Sequence, residues 1–243
     1  MLPKGDPVSE NTVRPALCSV GGSARLAVAG LGLAGAAWAV RAVWHVRLAV
    51  AGEPASGPPD QGEGRHRPPT SLEDSYHLVS TAGSVLTLLC AALFIGWLGR
   101  MRDNARALSG EPPRYAGVWV YVSWIVPLAN LWIPRGIVAD IHHKSAPGRR
   151  LPVVVNVWWA LWLVGMVTGV GLMYDGDTDD VVARAYHDVG TLLVADLAVA
   201  GAAVAGILMV RALTDVQLVH IGAQLRTPGG DPLKETVRAF DRD

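Results

Sequence analysis

Residues 123–134 read SWIVPLANLWIP and lie between two Arg-rich segments. The stretch is apolar and aromatic, yet it holds Pro127 and Asn130. Whether it crosses a bilayer sets the number of crossings and the side on which each loop falls. Pro127 removes a backbone donor and tends to kink a helix. The straight part before it, Tyr115–Val126, covers only ~18 Å at ~1.5 Å per residue, about half of a ~30 Å hydrocarbon core. The expectation is a re-entrant or interfacial half-helix. Proline is tolerated in membrane helices, so a fifth span is the alternative.

Four long apolar runs surround this segment: Leu26–Val50, His77–Leu98, Val153–Tyr174 and Val189–Leu213. Each reaches the ~20 residues that a spanning helix needs. None alternates as a barrel strand would, so the predicted fold is all-α, a multi-pass transmembrane helical bundle. A mean hydropathy of +0.30 and a charged fraction of 17% put the chain outside the range of ordinary soluble domains. The first run is too long for a signal-peptide core and carries Arg41 and Arg47, so no cleavage at Ala49–Ala51 is expected.

Charge counting favours four spans. Residues 1–25, 99–150 and 211–243 hold three, eight and five Lys plus Arg, or sixteen together. The loops 52–75 and 175–188 hold two and one. Basic residues collect on the cytoplasmic side, which places both termini there. A fifth span would put Arg100, Arg102, Arg106 and Arg114 opposite Arg135, Lys144, Arg149 and Arg150, and the bias would vanish locally. The organisation expected is a flexible cytoplasmic tail (1–23), a helical membrane domain (24–225) and a charged cytoplasmic tail (226–243). The Pro- and Gly-rich external loop, 52–70, is read as disordered.

Local signals refine this. Ser71 is read as the N-cap of a helix over Leu72–Leu108, with Gly110 as its stop. Arg135–Lys144 is read as an amphipathic helix with Ile137, Val138 and Ile141 on one face and His142 away from it. Gly30, Gly32, Ala34, Gly35 and Ala36 form a small-residue face suited to close helix packing, as does Gly165 with Gly169.

The helix end Gly99–Ala107 (GRMRDNARA), with its Asn104-Ala105 pair, is followed by Tyr115 and then Trp124, Pro127, Asn130-Leu131-Trp132 and Pro134. This pattern resembles the signature of a bacterial membrane family known only as a domain of unknown function, DUF4328. The resemblance covers roughly residues 76–225. It implies the same order of helices and brings no activity with it.

Several residues are candidates for chemistry. Asp196 lies within the last apolar run, where a charge is costly and usually faces a partner or a cavity. Arg41 falls at similar depth, and the two are expected to pair. A buried pair joining two helices is the simpler reading, and a proton or solute site the sharper one. Pro127 and Asn130 mark a helix break that either caps its own freed backbone groups or coordinates a solute. Asp175–Asp180 alternates like a calcium loop but has Asp180 where glycine belongs and Tyr186 where glutamate belongs. His142, His143 and Asp140 fall short of a converging ligand set and read as a solvated interfacial cluster. Arg100, Arg102, Arg106, Arg135, Arg149 and Arg150 form a basic collar for anionic headgroups or a protein partner.

No cofactor, metal or nucleic-acid partner is expected, and the zero net charge fits the last point. Cys18 and Cys90 imply no disulfide framework. The functional expectation is a non-enzymatic protein of the bacterial inner membrane that meets lipid or a protein partner, with homo-oligomers permitted. A small transporter or channel using Asp196 and the Pro127–Asn130 break is the alternative. A membrane enzyme is the third.

Overall fold

The computed structural model describes residues 17–57, 61, 65–169, 182 and 185–226, with residues 224–226 as backbone only. The helices are α1 (Gly21–Ala51), α2 (Ser71–Ser109), α3 (Trp119–Val122), α4 (Ile133–Ser145), α5 (Val153–Gly169) and α6 (Val189–Arg226). Among the described residues there is no strand. Among the described residues, three helices, α1, α2 and the Val189–Ala223 part of α6, are long and apolar enough to cross a membrane. The described part of α5 is apolar but shorter, so the fourth expected span rests on residues 170–174, outside the described set.

Helix α1 is wedged between α2 and α6, which touch each other only briefly, and α5 lies along α6. Close approach at the seams depends on small residues. A Cβ at Gly30 would lie 3.2 Å from the Cys90 Cα, and one at Gly35 would lie 2.7 Å from the Ala203 Cβ. A Cβ at Gly165 would lie 2.6 Å from Val199 Cγ2, which seats α5 on α6. The predicted small face of α1 is therefore two seams, one toward α2 and one toward α6. Gly32 and Ala36 fall outside both and are exposed.

The N-cap of α2 is Thr70, one residue before the expected Ser71. Glu73 N–H donates to Thr70 Oγ1 at 3.3 Å while Thr70 N–H donates to a Glu73 carboxylate oxygen at 2.7 Å, a reciprocal capping box. Gly110 ends the helix at φ 69°, a left-handed conformation that glycine adopts without a Cβ clash. Helix α1 begins at Gly21, inside the expected tail, and residues 17–20 lie against the end of α2 rather than free of it.

Between Gly110 and Ile133 no continuous half-helix forms. The four-residue α3 gives way to turns and a short 3-10 helix, Ala129–Leu131, before α4 begins with Pro134 in its first turn. The two flanks of the segment meet: Arg114 N–H donates to Asp140 Oδ2 at 3.1 Å, and Lys144 Nζ reaches the carbonyl of Glu111 at 3.3 Å. Both flanks of the segment therefore sit at one end of the bundle. Trp124 within it packs on Phe94, Trp158 and Trp162, an aromatic cluster that fills the space between α2 and α5.

Candidate functional site

Two polar centres interrupt the apolar packing, one toward each end of α1. The first lies toward the 52–70 loop. Arg41 and Asp196 are 4% and 0% exposed and face each other across the α1–α6 seam. Arg41 Nε donates to both Asp196 oxygens, at 3.2 and 3.0 Å, and Nη2 donates to Oδ1. The Trp38 ring lies 3.9 Å from the guanidinium carbon and is itself fixed by its Nε1–H to Thr87 Oγ1 at 2.8 Å.

His45, one turn beyond Arg41, was not a candidate on sequence. Its ring is fully buried, with Nε2 3.2 Å from Asp196 Oδ2 but outside hydrogen-bond alignment. Tyr76 from α2 stacks at 5.2 Å against it. Among the described residues, Tyr76 Oη, Ser80 Oγ and both His45 nitrogens have no hydrogen-bond partner. The spacing of Arg41 and His45, i and i+4, was the available signal; it places both on one helix face.

Further toward the loop, outside the apolar run of α2, Glu73 is a second buried carboxylate. Arg67 grips it with two parallel bonds, 2.8 and 2.7 Å, and Tyr186 O–H donates to it at 3.1 Å. The Arg67 bonds hold the Glu73 carboxyl down at about 2 against the opposing push of burial. Burial first, and the carboxylate second, push the Tyr186 phenol up to about 12. Arg67 Nε also donates to the Gly57 carbonyl at 2.7 Å, so the described parts of the 52–70 loop are pinned across this end.

The second centre lies at the Arg-rich end. Asn104 is 1% exposed, and its amide pairs with the backbone of Cys18 on both sides. Gln217 from α6 donates to the Met101 carbonyl at 3.0 Å and to Ser145 Oγ at 3.1 Å, which ties α2, α4 and α6 together. Ala105 is buried beside Asn104. Asn130 donates to the Trp124 carbonyl at 3.4 Å and to Met166 Sδ at 3.2 Å, capping the broken segment and joining it to α5. Pro134 is buried, whereas Leu131 and Trp132 are exposed. The Leu131 carbonyl accepts from Trp159 Nε1 at 3.3 Å. Among the described residues, Asp196 and Asn130 share no partner.

The collar is only partly a free cationic surface. Arg100 donates to the Ser19 carbonyl at 3.4 Å, Arg102 to that of Tyr115 at 3.2 Å, and Arg135 to Asn156 Oδ1 at 2.9 Å. Arg106, Arg149 and Arg150 are exposed. His142 is 2% exposed rather than solvated, because it lies on the side of α4 that faces the bundle with Ile141. Burial, then His143 and Arg149, push its pKa below the usual imidazole value. The Asp175–Asp180 run lies outside the described residues, and Cys18 and Cys90 are free thiols.

The family described as Domain of unknown function (DUF4328) matches residues 69–215. The chain belongs to this family. The match takes in α2 through most of α6, with Asn104, Pro127, Asn130 and Asp196, and leaves out α1 with Arg41 and His45. No curated protein and no solved structure matches the chain.

Proposed function

We propose that this DUF4328 protein is a multi-pass integral protein of a bacterial cytoplasmic membrane, with both termini cytoplasmic and a non-enzymatic role at its basic end. One observation carries this reading. Over the middle of the bundle the outward positions are apolar, among them Leu33, Val40, Leu88, Leu197 and Val204, while Arg41, His45 and Asp196 are inside. That is the reverse of the pattern a water-soluble protein needs, and it suits a lipid surround.

Toward the basic end, Arg106, Arg149 and Arg150 are exposed, and so are Tyr121, Leu128 and Trp132 of the segment between α2 and α4. Exposed cations and aromatic rings suit the headgroup zone of a leaflet, where a peripheral partner can also dock. Cysteine labelling tests the arrangement in a background lacking Cys18 and Cys90. Asp103→Cys and Arg149→Cys should react from the cytoplasmic side and Glu53→Cys from the opposite side. Reaction of the first two from opposite sides would sink the reading. A solute flux in proteoliposomes that Asp196→Asn abolishes would replace it with a transporter.

A further inference from the structure

We propose that His45 and Asp196 form a proton-binding site inside the bundle, filled from the 52–70 loop end and closed toward the basic end. The inference rests on the bilayer reading for its sidedness only. Arg41 already neutralises Asp196 through three donor contacts, so the α1–α6 lock is complete without a third ionisable group. His45 nevertheless brings Nε2 to 3.2 Å from Asp196 Oδ2 with both groups fully buried.

The gap selects the ligand. Nothing larger than a hydrogen fits between a nitrogen and an oxygen at 3.2 Å. A metal cation is repelled by the Arg41 guanidinium beside it. With the ring proton on Nδ1, the Nε2 lone pair faces that of the carboxylate. A proton on Nε2 converts this contact into a charge-assisted hydrogen bond after a small ring rotation. The step forms one N–H bond, releases water from hydronium, and takes the Arg41–His45–Asp196 centre from net zero to one positive charge.

The surroundings point to one entrance. Among the described residues, the charged and titratable groups facing His45 are Arg41 on its own helix, Asp196 on α6, and Tyr76 with Glu73 beyond it on α2, backed by Tyr186. Glu73, Tyr76 and Ser80 recur on one face of α2 and are all buried, a polar line from the loop end to His45. Buried hydroxyls with no partner in hydrogen-bond geometry among the described residues, here Tyr76 and Ser80, are the groups that ordered water serves. In the other direction every buried residue of α6 from Ala198 to Leu213 is apolar, a barrier roughly 22 Å long at ~1.5 Å per residue.

The test uses the full chain in detergent with isotope-labelled histidine, read by NMR from pH 4 to 8. One ring signal, missing in His45→Gln, should titrate. Its pH response should change in Asp196→Asn, which removes the adjacent anion, and in Arg41→Gln, which removes the adjacent cation. A His45 ring that stays neutral throughout in the wild type overturns the proposal, whether or not the variants fold. A midpoint unmoved in both variants overturns Asp196 as the partner. Vesicles carrying the protein should hold a pH gradient as empty ones do; a leak removed by Asp196→Asn overturns the closed end. The titration does not depend on how many helices cross, so its failure is separable from failure of the topology.

Discussion

Asn104 holds the backbone of Cys18 by both halves of its side-chain amide: Oδ1 accepts the Cys18 N–H at 2.8 Å and Nδ2 donates to the Cys18 carbonyl at 2.9 Å. One side chain thus satisfies both backbone groups of Cys18. Asn104→Ala removes both bonds and leaves the Cys18 groups to find water. The expected cost is about 1–3 kcal/mol. It should register as a lower thermal midpoint in detergent, together with faster proteolysis near Leu17.

The Arg41–Asp196 pair should behave as a coupled unit. Asp196→Asn alone leaves the buried Arg41 cation uncompensated, at about 3–5 kcal/mol, and Arg41→Gln, which leaves Asp196 with His45 alone, costs less. The double variant removes both charges and should recover more than half of that loss. A double-mutant cycle on thermal unfolding measures the coupling. Strictly additive losses would mean that the two side chains act independently.

Acid should weaken the loop-end lock in a defined window. The Glu73 carboxyl titrates at about 2 in the folded chain against 4.5 ordinarily. The unfolded state therefore binds the proton first as pH falls. The contribution of Glu73 is whole above pH 4.5 and is lost as pH drops toward 2. In Glu73→Gln this part of the acid dependence should disappear, and the Tyr186 phenol, read by ultraviolet titration, should move down from about 12 while burial keeps it raised.

Two glycines of α1 should respond oppositely to alanine. At Gly35 the new Cβ would meet the Ala203 Cβ at 2.7 Å, and a methyl cannot rotate away, so the helices must part. The expected loss is about 1–3 kcal/mol. At Gly32 nothing lies within 4 Å. There the better helix propensity of alanine should stabilise by up to about 1 kcal/mol. Paired thermal melts of Gly32→Ala and Gly35→Ala check the contrast.

The helices were legible because their signals are local. Apolar run length, the hydroxyl cap read one residue late at Ser71, and Gly110 all act within a turn or two of the chain. The family followed from Asn104, Trp124, Pro127, Asn130 and Trp132, residues whose spacing is itself the signal. What escaped was direction. Gly32 and Gly35 differ only in which way they face, and so do His142 and His143. Facing is decided by neighbours far away in sequence. The same holds for His45: its spacing from Arg41 puts both on one face, but its contact with Tyr76 depends on a helix that its own sequence does not report. The break at Pro127 was readable, but not that it resolves into turns. Trp124, Phe94 and Trp162 set that path by packing.

The ion pair also imposes an order on biogenesis. Arg41 and Asp196 are 155 residues apart. At about 5–20 residues per second, a ribosome needs roughly 8–30 s to travel from one to the other. Through that interval α1 carries a cation with no anion to meet it. In the proposed membrane arrangement it waits in the translocon or in a chaperone's keeping, or with its arginine drawn up to the lipid surface. The helix that carries Asp196 is thus the one that releases α1.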